Sequence, residues 1–372
     1  MVDWRTMAER EDQISPPPRK NPELVGHEKT EAQLLDAWRS GRLAHGWLIH
    51  GPPGIGKATL AYRFARFVLS GGGEGGLFGD DAQDLAMDPD NPLFRRVAAG
   101  GHADLMAVEK SYDANRKRFR DEIVVADVRA ITPFMRLTSS EGGWRVVVVD
   151  SADEMNLNAA NALLKILEEP PDNSLLLLVS HSPSRLLPTI RSRCRALAMR
   201  PLAEDRVEAL LCRHRPELAP GEAAALARLA KGSPGRALRL VDAGGLTLYG
   251  DIVGLLAGGG LDVAALHGLA ERVARPNARD AYSALMELLS QWITGLVRLG
   301  ACRATADEIA NQAVIEGEGA VIERLLARAS LEQWIEVWEK IGRLAADVER
   351  VNLDRKQVVI TAFSALAAAA RP

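Results

Sequence analysis

A single run of residues, Gly51–Lys57 (GPPGIGK), limits what this chain can fold into more than any other feature. It follows the apolar stretch Trp47–Ile49, and the residues Leu60, Phe64 and Phe67 beyond it recur at helical spacing. Where a strand ends in Gly-x4-Gly-Lys and a helix begins, consecutive backbone N–H groups point at one spot and the helix N-terminus adds positive potential. The run therefore predicts a strand, a phosphate-binding loop (P-loop) and a helix, with Lys57 reaching the β- and γ-phosphates of a nucleotide.

Strands and helices alternate through the first half of the chain. Arg145–Asp150 and Leu175–Val179 are continuous apolar strands, and the helix between them ends before Pro170. This alternation is typical of a parallel sheet covered by helices on both faces. Before these strands we expect a long, weakly periodic insertion over residues 71–121, and then a helix with its N-cap at Asp127 that continues through Leu137.

The length of 372 residues allows two or three domains, and after Pro201 no further strand is predicted. We expect a flexible lead over residues 1–20, an α/β domain over 21–200, a small helical domain over 201–245 and a helical C-terminal domain over 250–372. The predicted fold class is thus α/β, a P-loop domain with a parallel sheet, joined to two helical domains.

The residues that normally hold Mg²⁺ are altered in two places. Ala58 follows Lys57 where a Ser or Thr hydroxyl would bind the metal, and Thr59 comes one residue late on the helix. Ser151 follows Asp150 where hydrolysing P-loop enzymes usually have a second carboxylate that orients water, and Asp153 lies about one turn away. We expect phosphate binding to survive, Mg²⁺ binding to be weakened and ATP hydrolysis by this chain alone to be slow or absent.

Two further motifs narrow the class of protein. Residues 161–171 read NALLKILEEPP, and IRSRC follows over Ile190–Cys194. Together with the P-loop and the strand Arg145–Asp150, these motifs closely resemble the subunits of bacterial clamp loaders, which are AAA+ proteins. The resemblance extends from about residue 22 to about residue 366. It implies an AAA+ P-loop domain, a helical lid domain and an all-α C-terminal collar domain that joins subunits in a ring.

The resemblance also implies the site residues. Arg193 would be an arginine finger that acts on the nucleotide of a neighbouring subunit, although a solvated basic face with Arg191 and Arg195 is the simpler interpretation of these charges. Leu24–His27 resembles the segment that contacts adenine, and Ser180 and His181 stand where the family has a polar sensor residue. The residues expected around the nucleotide are Val25, Gly26, Gly51, Gly54, Gly56, Lys57, Ala58, Thr59 and Asp150. No metal-ligand set is expected.

Two functions remain open within this family. One is a ring subunit without its own motor activity, which would work with the gamma/tau and delta subunits to load the sliding clamp onto primed DNA. The other is an active motor of the gamma/tau type that hydrolyses ATP. Motor subunits have a sensor arginine where Gly235 falls in the segment Ala230–Gly235, and Arg236 is displaced from it by one residue. Together with Ala58 and Ser151, this favours the first function.

Charge and composition exclude other classes of protein. The net charge of −3 means that nucleic acid would be contacted through a local face or a partner, and the basic run Arg116–Arg120 is either such a face or a solvated loop. No cysteine lies between residues 57 and 193, so no zinc module is expected there. The longest apolar runs are far shorter than a membrane span and no signal peptide precedes them, so the cytoplasm is expected. Trp292, Trp334 and Trp338 are expected in the helical core.

Overall fold

The computed structural model describes residues 16–72, 84–113, 118–141, 143–258, 260–351 and 353–370. The chain divides into two compact units. The first comprises Met1–Ala203 together with Ser233–Gly235, and the second comprises Glu204–Gly232 and Arg236–Pro372.

The first unit contains every strand of the described residues. The strands are β1 (Gly46–His50), β2 (Leu105–Val108), β3 (Tyr112–Asp113), β4 (Arg118–Phe119), β5 (Arg145–Val149), β6 (Ser174–Ser180) and β7 (Arg195–Ala198). Five of them form one sheet in the order β2-β5-β6-β1-β7, and all of its pairings are parallel. The predicted α/β fold with a parallel sheet is therefore confirmed. The remaining two strands, β3 and β4, form a separate antiparallel ribbon.

Helices surround the sheet in the first unit and make up the second. Those that begin in the first unit are α1 (Glu28–Arg39), α2 (Lys57–Leu69), α3 (Pro92–Ala98), α4 (Val125–Arg129), α5 (Ile131–Arg136), α6 (Leu157–Glu168) and α7 (Pro188–Arg191). Those that follow are α8 (Glu204–His214), α9 (Pro220–Ala230), α10 (Pro234–Asp242), α11 (Gly245–Ala257), α12 (Val263–Ala274), α13 (Arg279–Cys302), α14 (Ala306–Gln312), α15 (Glu318–Arg328), α16 (Leu331–Val351) and α17 (Arg355–Ala369).

Side chains alternate between two cores, one on each face of the sheet. Trp47 and Ile49 of β1 face one core with Phe64 of α2, whereas Leu48 faces the other core with Leu163 of α6. All these side chains are buried, because helices cover both faces of the parallel sheet. The parallel register places the carboxyl ends of β1, β5 and β6 at the same edge of the sheet.

Three local predictions are corrected. The predicted insertion contains α3 and the edge strand β2, which the weak periodicity did not reveal. Strand β7 also lies beside β1 without having been predicted. Asp127 is not an N-cap: α4 begins at Val125, and the Asp127 carboxylate accepts the backbone N–H of Val124 at 2.9 Å from within the first turn. Two short helices, α4 and α5, replace the single predicted helix.

The second unit is entirely helical in its described residues, as predicted. Its interior contains a buried carboxylate, Glu318, which accepts hydrogen bonds from the Tyr249 hydroxyl, from Trp292 Nε1 at 3.1 Å and from the backbone N–H of Val314 at 2.7 Å. Trp334 is also buried, but the prediction for Trp338 is wrong, since 44% of this side chain is exposed.

None of the described helices is by itself both long enough and apolar enough to cross a membrane, and one sharply bent pair, Pro234–Asp242 with Gly245–Ala257, meets that test by length and composition only.

Candidate nucleotide site and arginine finger

The P-loop connects β1 to α2 at the carboxyl edge of the sheet. Gly51, Gly54 and Gly56 have φ angles of 151°, 73° and 99°. A Cβ on Gly51 would lie 2.3 Å from the carbonyl oxygen of Met199, and one on Gly56 would lie 2.7 Å from Leu24 Cδ1. The loop conformation therefore requires glycine at these two positions. The first turn of α2 contains no acidic residue, so its N-terminus keeps a positive potential suited to phosphate.

Lys57 is buried, and its Nζ donates a hydrogen bond to the carbonyl oxygen of Pro52 in the same loop. Burial lowers the pKa of the Lys57 ammonium to about 8, and the negative charges of Asp150 and Asp153 oppose this change. The ammonium thus stands inside the loop without a direct ion pair among the described residues. A phosphate would supply the negative charge that this position lacks.

The segment before α1 is fastened to the P-loop. His27 is buried, and its Nε2 donates to the carbonyl oxygen of Ile55 at 2.8 Å. Burial lowers the pKa of His27, so the neutral ring that carries a hydrogen on Nε2 is the form present. Gly26 adopts a φ of 80° next to Leu202, and Val25 between Leu24 and Gly26 is half-buried. The structure therefore brings Val25 and Gly26 beside the loop.

Two arginines of α2 hold the chain just before this segment. Arg66 donates to the carbonyl oxygens of Arg19 at 3.1 Å and Asn21 at 3.0 Å, and Arg63 donates to that of Pro22 and pairs with Glu31 at 2.6 Å. Both guanidinium groups are buried. Of the predicted flexible lead over residues 1–20, residues 1–15 lie outside the described part of the chain.

The positions at which a P-loop protein normally binds Mg²⁺ differ from the usual pattern, whereas the phosphate-binding loop follows it. Ala58 is half-buried against the core and has no hydroxyl, and Thr59 is buried one residue later. Asp150 follows β5, and burial raises the pKa of its carboxyl to about 6, helped by the nearby negative charge of Glu109. Ser151 has a left-handed backbone with φ 62° and ψ 52°.

Asp153, the next carboxylate after Asp150 along the chain, is engaged by backbone hydrogen bonds. Its side chain is buried and accepts the backbone N–H groups of His181 at 2.8 Å and Ser182 at 3.1 Å. These bonds fix the turn after β6, so the carboxylate serves the fold. The His181 ring lies beside the Ser151 hydroxyl, with 3.5 Å between Nε2 and Oγ, and Ser180 is fully buried. Among the described residues no group of three or more His, Cys, Asp or Glu is arranged to hold a metal ion.

The segment Ser233–Gly235 belongs to the first unit and contacts the P-loop. The Gly235 backbone N–H donates to the carbonyl oxygen of Gly54, and the Ser233 hydroxyl donates to that of Pro53, both at 2.9 Å. A Cβ on Gly235 would lie 3.1 Å from the Gly54 carbonyl oxygen. Arg236, one residue later, belongs to the second unit, where it pairs with Glu287 of the same unit at 3.3 Å and is largely buried. The contacts of Ser233 and Gly235 with the P-loop were not predicted, because nothing in the sequence indicates that these two distant segments meet.

Arg193 lies in the turn between α7 and β7, and 36% of its side chain is exposed. The guanidinium pairs with the Glu168 carboxylate at 2.9 Å and donates to the carbonyl oxygen of Thr189 at 3.0 Å. Glu168 is the first glutamate of the EEPP sequence at the end of α6, and its pairing with Arg193 was not predicted from the sequence. Cys194 beside it is half-buried, and burial raises the pKa of its thiol to about 11, which makes it a poor nucleophile.

The sequence of this chain is similar to those of known DNA polymerase III subunits. Residues 26–203 match the family model described as DNA polymerase III, delta subunit. The chain is 34% identical over 251 residues to DNA polymerase III subunit delta' of Pseudomonas aeruginosa, covering 66% of this chain and 62% of that protein. It is 33% identical over 210 residues to the delta' subunit of Escherichia coli, covering 56% and 58%. Each match thus spans less than two thirds of the relative's own length.

A tau subunit and one solved structure match at lower identity. The tau subunit of Bacillus subtilis is 25% identical over 285 residues, covering 74% of this chain and 47% of that protein. A gamma subunit-related protein of DNA polymerase III from Thermotoga maritima gives a TM-score of 0.42 at 17% identity, covering 91% of this chain and 100% of that chain.

The fold and the P-loop define the class: a P-loop α/β protein with a parallel sheet, as the sequence predicted. Over residues 26–203 the chain is similar to the family described as DNA polymerase III, delta subunit, and the relatives at 34% and 33% identity are delta' subunits.

Proposed function

We propose that the chain is a delta-prime-like subunit of the DNA polymerase III clamp loader, which helps to load the sliding clamp onto primed DNA, hydrolyses little or no ATP itself and supplies Arg193 in trans to a neighbouring motor subunit. The domains predicted over residues 21–200, 201–245 and 250–372 would act as nucleotide-binding, lid and collar domains in a ring with gamma/tau and delta subunits.

The hydrogen bonding of the Asp153 carboxylate is the observation that best supports weak ATP hydrolysis by this chain. It is the nearest carboxylate that could replace the residue missing at Ser151, and both of its oxygens accept backbone N–H groups of the turn after β6. A carboxylate held in this way is a poor base for water. Ala58 removes the hydroxyl that Mg²⁺ would use, and Arg236 is engaged with Glu287. If ATP binds, Lys57, Gly54, Gly56 and the α2 N-terminus would hold its phosphates, with Val25 and Gly26 near the base.

The geometry of Arg193 supports the finger. An arginine finger must reach across a subunit boundary, so it must be exposed and held in a defined direction. Arg193 meets both conditions because Glu168 and the Thr189 carbonyl fix one side of a guanidinium that remains accessible to solvent. Arg is suited to the role since it stays charged and offers several N–H donors in one plane.

The test uses the complex reconstituted with gamma/tau, delta, sliding clamp and primed DNA. Arg193→Ala is expected to slow single-turnover hydrolysis at the adjacent motor site by roughly 10³-fold or more, while assembly is preserved. Arg191→Ala is the matched control, since it removes an exposed arginine two residues away. Equal rates for the two variants would contradict the finger.

A second experiment separates the motor alternative. Steady-state ATPase of the isolated chain, with and without primed DNA and clamp, is expected to be at background. A robust rate that Lys57→Ala abolishes would instead establish an active motor of the gamma/tau type and overturn the proposal.

A further inference from the structure

Helix α16 of the second unit has two apolar stripes, of which only one is covered by the rest of the chain. The covered stripe consists of Trp334, Val337 and Ile341, which are all buried. The other, which we call the outer seam, consists of Leu331, Ile335, Trp338, Gly342 and Ala345. Within it 37% of Ile335 and 44% of Trp338 are exposed. The helix thus keeps a second apolar surface in water.

The spacing of the outer seam is that of a helix that packs lengthwise on another helix. Its members are alternately four and three residues apart, as in the a and d positions of a heptad, over a length of about 21 Å. A Cβ on Gly342 would meet no atom within 4 Å, so this chain's own fold does not require the glycine. Glycine inside a helix costs about 1 kcal/mol relative to alanine. A small residue in the seam allows a second helix to approach closely.

The charged border of the outer seam is acidic. Glu332 and Glu339 occupy the e positions beside the seam, and both are exposed. The backbone N–H of Glu332 and the Ser330 hydroxyl lower the pKa of the Glu332 carboxyl, so it is ionised at neutral pH. On its other side the seam adjoins the buried stripe. Farther round the helix the exposed charges are mixed, namely Glu336, Lys340 and Arg343.

These charges select among the possible occupants of the seam. Nucleic acid and anionic lipid would be repelled by the two glutamates. A second copy of α16 packed antiparallel would bring the same glutamates against each other. Residues 1–15, the longest stretch outside the described part, contain four acidic and two basic side chains and are not complementary either. A helix of a different subunit, with Lys or Arg beside its apolar positions, is complementary in both spacing and charge.

We propose that the outer seam of α16 docks a helix of a neighbouring ring subunit that carries Lys or Arg opposite Glu332 and Glu339, with Trp338 as the central anchor and Gly342 as the point of closest approach. This rests on the proposed function, which supplies the neighbouring subunits, and adds the surface and the chemistry of the partner. It also gives a reason for the exposure of Trp338, since tryptophan is enriched among the residues that dominate binding at protein interfaces.

The experiment assembles the full chain with purified gamma/tau and delta subunits and measures the complex by sedimentation velocity over a range of protein and salt concentrations. Trp338→Ala is expected to weaken assembly roughly thirtyfold or more, the loss typical of a central tryptophan. Gly342→Gln should fold at least as stably, because its side chain enters open space and glutamine is a better helix former, yet it should also weaken assembly. Glu332→Gln/Glu339→Gln should make the affinity less dependent on salt.

Matched controls change similar groups elsewhere. Phe119→Ala removes another exposed ring, and Glu336→Gln neutralises another exposed glutamate of α16. Both variants should assemble like the unaltered chain. A photoreactive benzoylphenylalanine placed at Trp338 should crosslink to a helix of a gamma/tau or delta subunit that is flanked by Lys or Arg.

Failure of this inference is distinguishable from failure of the proposed function. If the unaltered chain forms no complex with gamma/tau and delta subunits, the proposed function is wrong and the docking surface falls with it. If the complex forms but Trp338→Ala and Gly342→Gln assemble normally, or if the crosslink reaches a second copy of this chain, the sliding clamp or DNA, the docking surface alone is overturned.

Discussion

The Asp150 carboxylate should destabilise the folded protein when no metal is bound, and Asp150→Asn should reveal the cost. Burial raises the pKa of this carboxyl from its ordinary 3.8 to about 6, with Glu109 and Glu154 adding negative charge and Lys57 opposing them. A difference of this size corresponds to about 3 kcal/mol, since each pH unit is worth about 1.4 kcal/mol. Because solvent reaches part of the carboxyl, we expect Asn to raise the free energy of unfolding of the first unit by about 1–3 kcal/mol at pH 7.5.

The pH dependence gives the prediction its sign. The folded state binds the proton more tightly than the unfolded state, so the contribution of Asp150 to stability is greatest below pH 3.8 and is lost as the pH rises through 6. The advantage of the Asn variant should therefore be complete above about pH 7 and should shrink as the pH falls from 6 towards 4.

The assay is hydrogen exchange of the backbone amides of Arg145–Val149 in increasing urea, in EDTA and without nucleotide, because these buried amides report the opening of the first unit alone. Asp153→Asn is the matched control and should have the opposite sign: it weakens the bonds to His181 and Ser182 and should destabilise by about 1–2 kcal/mol. If Asp150→Asn also destabilises at pH 7.5, or if its effect does not vary between pH 4 and 7, the reasoning is refuted.

Three further changes test the site and the second unit. Gly51→Ala should destabilise the first unit by about 2 kcal/mol or more in the same exchange assay, because its Cβ would lie 2.3 Å from the Met199 carbonyl oxygen; a neutral effect would contradict the tight packing. Lys57→Met should stabilise the apo protein by about 1–3 kcal/mol at pH 7 and lose this gain as the pH rises from 8 to 10.5, and a loss of stability at pH 7 would refute the cost of the buried ammonium. Glu318→Gln should cost the second unit about 1–3 kcal/mol in urea unfolding followed by tryptophan fluorescence, since a neutral amide replaces a carboxylate bound by three donors; an unchanged midpoint would show that its charge is not used.

The sequence predicted the elements whose patterns are strong. The central strands β1, β5 and β6 are continuous apolar runs, and the residues 161–168 have a helical period, so their type and order followed directly. Strand β2 was not predicted because an edge strand is covered less completely by other elements: two of its four residues are half-buried and a third is exposed. Strand β7 was not predicted because it begins with arginine and three of its four residues are exposed.

The residues of the candidate site likewise divide into those that the sequence predicted and those that it did not. The P-loop glycines and Lys57 were predicted because backbone conformation and spacing along the chain fix them. The pairing of Arg193 with Glu168 and the bonds from Ser233 and Gly235 to the P-loop carbonyls could not be predicted, because each joins residues that only the tertiary fold brings together. Asp153 shows the limit most clearly: its position in sequence suits a replacement carboxylate, and only the two bonds from the turn after β6 show that it is already engaged.

The retained P-loop glycines do not by themselves show that nucleotide binds. Gly51 is required by the Met199 carbonyl oxygen and Gly56 by its φ of 99°, so the fold alone would keep both residues in a chain that never meets a phosphate. Lys57 is different, because its ammonium is buried with a lowered pKa and costs the fold stability that an apolar side chain would recover. The fold therefore explains the glycines, whereas an anion that enters the loop would explain the lysine. For this reason equilibrium binding of a fluorescent ATP analogue to the unaltered chain and to Lys57→Met is the measurement that separates a nucleotide site from a P-loop kept only as structure.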